Sequence, residues 1–326
     1  MRSFPMIDAA VSRRLFLIGA GVASAGATLP AIAALADSRT AADAAKLDTP
    51  KGMLDTYVRI SGDTSGKPYV GCYSGHLFAV QPDNIVEPLC GFTGFGLGWD
   101  QPQADGSYHH SWKEAGYYTD LRSGQVLEQW RNPLNDELCD VMHIHNRSVN
   151  MTLTTTVRLP PPGANVKVGY GNFSQLDNPA RPYGLPYAII DDQLSVFSDA
   201  RAYVPNPLDP KVWVRESAGP MLSVAEFFML TSKKDQALDP RVSNANCTGS
   251  WTRIGPWLPW MLLGARPGHL FYRSSTKKLH SMTQLPAVVR DYTAKRYPEF
   301  LEFPKDFGMP MESSWEVFKR ERKPHS

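Results

Sequence analysis

From residue 57 onward the chain is built of apolar and aromatic runs of five to nine residues, each cut off by Gly, Pro, Asn or Asp. Runs that short do not sustain amphipathic helices. They read as strands bounded by turns. Residues 69–80, 85–91, 149–159, 191–203, 212–216, 222–231, 249–263 and 269–273 are the expected strands. Residues 107–121, 125–131 and 137–146 are separated by Arg122-Ser123-Gly124 and by Asn132-Pro133-Leu134-Asn135-Asp136, which predicts a three-strand meander. Residues 285–300 show helical spacing, with Pro286 near their start. A doubly wound α/β fold needs helices between its strands, and none are supplied. The expected fold is mainly β: a single antiparallel domain, barrel-like or a curved two-layer sheet, with one or two short helices. Residues 160–186, rich in Pro, Gly and Asn, read as a long irregular excursion of the kind that covers a pocket.

The start of the chain is of another kind. Ser12-Arg13-Arg14-Leu15-Phe16-Leu17 resembles a twin-arginine (Tat) export signal. An Ala- and Gly-rich apolar stretch follows to Leu29, then Pro30, then Ala34-Leu35-Ala36, a small-x-small cleavage pattern. An apolar stretch of about 15 residues is short for a membrane span of roughly 20. Residues 1–36 are therefore expected to be a cleaved signal, 37–50 a linker, and 51–326 one β-rich domain. The mature protein is expected in the periplasm without a membrane anchor, having met the Tat machinery on its way out.

Charge narrows the partners. The chain holds 34 Lys+Arg against 32 Asp+Glu, and the surplus of two lies within residues 1–36. A chain that neutralises nucleic-acid phosphates carries a basic surplus, so nucleic acid is excluded as a main partner. Cysteines 72, 90, 139 and 247 contain no Cys-x-x-Cys, which removes zinc ribbons, thioredoxin-like pairs and covalent haem. A chain that folds before export meets a reducing compartment, so the four are expected as small buried hydrophobes.

Three clusters carry candidate chemistry. His143-Ile144-His145 places two imidazoles on one strand face, where they can share acid and base work or hold a single transition metal. A cupin would follow the pair with a Glu and precede it with a Gly, and both are missing. In Tyr108-His109-His110-Ser111-Trp112, alternation sends His110 to the face of Tyr108, Trp112, Glu114 and Tyr118, and sends His109 to the face of Tyr117. With Trp130 and Arg131 these residues gather aromatic rings and a few polar groups, as a small-molecule site does. In the third, Trp257 and Trp260 form a rigid apolar wall among prolines. Arg266 and His269 flank Pro267-Gly268, where a cation meets an anionic group. Phe92-Thr93-Gly94-Phe95-Gly96-Leu97-Gly98 lacks the Lys-Ser/Thr of a phosphate loop and reads as a bent strand or pocket rim.

Trp130-Arg131-Asn132-Pro133, His143-Ile144-His145-Asn146, Arg266-Pro267-Gly268-His269-Leu270-Phe271-Tyr272 and Ser313-Ser314-Trp315 together resemble an uncharacterised family of exported bacterial proteins known only as a domain of unknown function. The resemblance implies a coherent fold and carries no mechanism. From the residues, three readings stand open. The first is an enzyme acting on a hydrophobic, aromatic small molecule by acid/base chemistry of lyase, isomerase or decarboxylase type, without a nucleotide cofactor. Here His143, His145, Tyr117 and Tyr118 are catalytic, and His109, His110, Trp130, Arg131, Trp257, Trp260, Arg266 and His269 bind substrate. The second is a carrier that binds such a ligand unchanged. The third is a metal-dependent oxygenase or hydrolase built on His143 and His145.

Overall fold

Two helices open the described chain, which comprises residues 40–157, 181–305, 307 and 313–325 of a computed structural model. They are α1 (Ala41–Leu47) and α2 (Pro50–Ser61). Thr40 and Asp43 cap α1 reciprocally, and Thr49 caps α2 with Pro50 in its first turn. Both helices occupy a stretch read from sequence as a linker and the first β texture. The correction has a packing cause: Met53, Leu54, Val58 and Ile60 are buried, so α2 is held by its apolar face rather than by its length.

The strands follow: β1 (Tyr69–Val80), β2 (Val86–Pro102), β3 (Tyr108–Thr119), β4 (Gln129–Arg131), β5 (Leu138–Asp140), β6 (Ile144–Leu153), β7 (Thr156–Val157), β8 (Arg181–Pro182), β9 (Tyr187–Ile190), β10 (Gln193–Pro205) and β11 (Met221–Lys233). After the short helix α3 (Lys234–Leu238) come β12 (Thr248–Gly255), β13 (His269–Leu279), α4 (Ala287–Arg296) and α5 (Ser314–Glu321). Among the described residues, nine strands form one antiparallel sheet in the order β6-β3-β2-β1-β13-β12-β11-β10-β9. The sheet is open, with β6 and β9 at its edges. The fold is mainly β, and its helices outnumber the one or two expected.

Two local expectations fail, the first only in part, for tertiary reasons. The meander forms only in part: Thr119 bridges Val126 and β4 pairs with β5 as expected, but β3 pairs along its length with β6, with Ala115 opposite His145, and β4 and β5 make a separate ribbon. That ribbon is drawn away by the turn after β12, where the Asn132 side chain donates to Met261 O at 2.8 Å and Asn135 donates to Leu262 O at 3.1 Å. Residues 212–216 form turns rather than a strand, with Trp213 N–H on Asp209 O and Ser217 N–H on Trp213 O. Most of the excursion at 160–186 lies outside the described residues.

The sheet curves strongly. β2 and β12 are three positions apart, about 14 Å in a flat sheet, yet the Phe92 and Trp251 rings meet with centroids 5.8 Å apart. Likewise Tyr118 Oη of β3 lies 3.5 Å from Tyr272 Oη of β13. One face is therefore concave. Gly94, Gly96 and Gly98 alternate on it, and a Cβ at Gly96 would fall 1.7 Å from the Trp112 ring. The run read as a bent strand is one, with large rings seated on its bare positions. The convex face carries Val70, Phe95, Leu97, Ala115, Tyr117 and Leu279 under Val289 of α4 and Phe300, which makes the second layer. Trp315 and Phe318 of α5 join Leu77, Phe92, Tyr118 and Tyr272 in a core at one end of the concave side. The four cysteines are free and three are buried. Among the described residues no helix is long and apolar enough to cross a membrane.

Candidate functional site

His143 and His145 do share a face, as their spacing predicts. Both rings meet Tyr117, with centroids 5.2 and 5.9 Å away. That face is the convex one, and α4 roofs it. His143 is 5% exposed, with Tyr292 of α4 at 5.8 Å. His145 packs on Tyr297 at 4.0 Å, and the Tyr117 hydroxyl is 2.7 Å from Thr293 Oγ1. Burial pushes His143 down to about 4, so the ring is neutral at neutral pH. Its Nδ1 accepts the Tyr118 backbone N–H at 3.3 Å, which leaves the ring proton on Nε2. An Nε2–H is not a metal ligand in that tautomer. Among the described residues no group of three or more His, Cys, Asp or Glu converges for a metal. His143 is thus placed in the core, with His145 half-buried beside it.

The remaining sequence candidates divide between core and rim. Tyr118 points to the opposite face from Tyr117 and packs on Trp260 at 5.2 Å, which in turn meets Trp130 at 5.6 Å. Trp257 is buried and donates to Arg266 O at 2.8 Å. These aromatics close one end of the concave side as core. Arg266 is exposed and donates to Leu134 O at 2.8 Å. Arg131 pairs at the surface with Asp136 at 3.3 Å. His269 begins β13 opposite Val80, and His109 stacks on Phe307 at 4.1 Å. None of these four faces the concavity.

What the concave face does gather is the alternate set of β3: His110, Trp112, Glu114 and Tyr118. Trp112 lies half-exposed over Gly96 and Gly71, so its ring makes a floor. Two residues on, Glu114 accepts from Asn146 Nδ2 at 2.7 Å, and the buried Tyr73 hydroxyl lies near this carboxylate. Burial pushes the Glu114 carboxyl above the ordinary range, and these two groups pull it only partly back. Burial likewise holds Tyr73 well above its ordinary value, so it stays a donor. β3 and β11 are five positions apart, roughly 24 Å in a flat sheet, yet the Glu226 charge adds to the rise at Glu114. The curvature has brought the two carboxylates within electrostatic reach on the concave face. Glu226 pairs with Arg253 at 3.5 Å, and the guanidinium lies over Tyr272 at 5.6 Å and Trp315 at 5.9 Å. Tyr73, Phe92, Phe228 and Trp251 complete the walls. At the other side of Trp112, His110 Nδ1 meets the buried Asp100 at 2.7 Å.

Tyr73, Asn146, Glu226, Trp251, Arg253 and Asp100 were not singled out by sequence reasoning, because they come from strands far apart in the chain. The available signal was the alternation of glycines 94, 96 and 98, which marks a strand face kept bare for large partners.

Residues 66–322 match the profile of a family described as a protein of unknown function (DUF1838). The chain belongs to that family. The DUF1838 match starts just before β1 and ends just after α5, so it spans the whole sheet and every residue of the concave cluster, and leaves α1 and α2 outside. No curated protein matches the chain.

Proposed function

We propose that this DUF1838 chain is an enzyme that transforms a planar, hydrophobic, aromatic small molecule by acid/base chemistry, with Glu114 as the proton-transfer group. The supporting observation is the setting of Glu114: a carboxyl held by Asn146, near Tyr73, on a concave face walled by Trp112, Trp251, Phe92 and Phe228. Desolvation moves such a carboxyl toward the working pH of a general acid, and the second carboxyl of the face, Glu226, is paired with Arg253. Two carboxyl groups with different surroundings serve a lyase, isomerase or decarboxylase, and these reaction types proceed without a nucleotide cofactor. The Arg13-Arg14 signal supports export through the Tat pathway to the periplasm, although residues 1–39 lie outside the described part.

The test is native mass spectrometry of protein purified from its source, followed by assay of whatever organic mass it carries. Wild type should convert the compound, and Glu114→Gln should bind it yet lose about 10²–10⁴-fold in rate, the usual worth of a general acid or base. A ligand that wild type holds unchanged would support the carrier reading instead.

A further inference from the structure

The concave face holds a second oriented group, and nothing in the reading above uses it. Asp100 is 1% exposed, and burying a carboxylate demands partners. It has them: His110 Nδ1 at 2.7 Å on Oδ1 and the Asp63 backbone N–H at 3.3 Å on Oδ2. Tyr69 Oη lies 3.4 Å from the same His110 nitrogen, and the buried Lys278 adds its positive field. A carboxylate so placed keeps the His110 proton on Nδ1 and fixes the ring. In the neutral ring the other nitrogen, Nε2, then carries the lone pair, and none of the described residues hydrogen-bonds it. The ring keeps 19% of its side-chain surface open, so Nε2 is the one end of this chain of contacts left to meet something else.

Position gives the dyad its meaning. His110, Trp112 and Glu114 alternate along one face of β3, so the imidazole and the carboxyl flank the Trp112 ring on opposite sides. Their Cα atoms are about 13 Å apart at strand spacing. His110 lies nearly parallel to Trp112, with centroids 6.4 Å apart and planes 15° off. A flat ring laid on Trp112 would have Nε2 at one edge and the Glu114 group at the other.

We infer that His110, positioned by Asp100, is a second proton acceptor of this face, and that the ligand is a hydroxylated arene whose O–H points at Nε2 across the Trp112 floor. This rests on the aromatic-ligand reading above. The proton balance is simple. Nε2 takes the hydroxyl proton while the carboxyl of Glu114 gives one to a ring carbon. Because the keto tautomer so formed has lost the aromatic ring, the Glu114 carboxylate takes back the other hydrogen of that carbon and His110 returns the hydroxyl proton. Glu114 then trades its proton with solvent, and the net event is exchange of a ring hydrogen.

The experiment uses 2-naphthol and naphthalene as probes, titrated into the folded chain and followed by tryptophan fluorescence and calorimetry. Wild type should bind 2-naphthol about tenfold or more tightly than naphthalene, the worth of one good hydrogen bond. His110→Ala should erase that preference while leaving the naphthalene affinity where it was. His110→Gln, which keeps an amide donor for Asp100, should do the same and serves if the alanine variant fails to fold. The inference is overturned if wild type shows no preference for the hydroxyl, if 2-naphthol does not bind, or if the preference survives in both His110 variants. Naphthalene affinity that is indifferent to Trp112→Ala would instead overturn the aromatic-ligand reading itself, so the two failures are told apart.

Discussion

The two faces of the large sheet use the same residue types to opposite ends. On the convex face, His143, His145 and Tyr117 lie beneath α4, with His143 pushed down to about 4 and the Tyr117 hydroxyl tied to Thr293. On the concave face, His110 and Trp112 are half-buried, the Glu114 carboxyl is buried, and each polar group is oriented by a buried or hydrogen-bonded neighbour. A histidine pair two residues apart is the more conspicuous sequence signal. What separates packing from chemistry is the roof: a helix covers one face, and curvature makes the other concave.

The contrast can be broken from either side. The largest stability effect belongs to the roofed face. Phe95→Ala, at a site with no exposure, should cost about 3–5 kcal/mol in denaturant titration and leave 2-naphthol affinity in the surviving folded fraction unchanged. A change in affinity larger than the loss of folded protein would mean that the faces are coupled.

The next effect comes from His143. Its folded value of about 4 lies below the ordinary 6.5. Above pH 6.5 both states are neutral there and stability is complete. As pH falls the unfolded chain takes the proton first, so about 3 kcal/mol is lost by pH 4, with no further loss below it. His143→Gln should flatten that part of the stability–pH curve. An unchanged curve would mean that the ring is not held neutral.

Gly96→Ala sharpens the comparison on the concave face. The new methyl collides with the Trp112 ring, which is half-exposed and can swing aside, so the cost should be about 1–3 kcal/mol. Naphthalene affinity should fall with it. Retained affinity would remove Trp112 as the floor.

The smallest effect is expected at Arg266. Its exposed hydrogen bond to Leu134 O should be worth about 1 kcal/mol or less, and Arg266→Ala should leave ligand binding intact. Lost binding would return Arg266 to the anion-holding role its Pro-Gly turn first indicated.

Much of this was legible beforehand. Run length and turn residues marked β1, β3, β10 and β11 to within a few residues, and period-two alternation put His110, Trp112 and Glu114 together and His143 beside His145. The same alternation placed Tyr117 and Tyr118 on different sides. The helix α2 was missed because its apolar residues gain meaning only against the sheet. The meander was expected because neighbouring segments usually pair; its second hairpin formed, but left the large sheet because Asn132 and Asn135 found partners 129 and 127 residues away.

Sequence alone thus determined the class of fold and which side chains share a strand face, since both follow from local backbone geometry that repeats every two residues. Only the tertiary structure decided which face lies under α4 and which is concave. It also brought Glu226 of β11 within electrostatic reach of Glu114 of β3, because curvature and helix docking are set by packing over the whole sheet, and no local pattern encodes them.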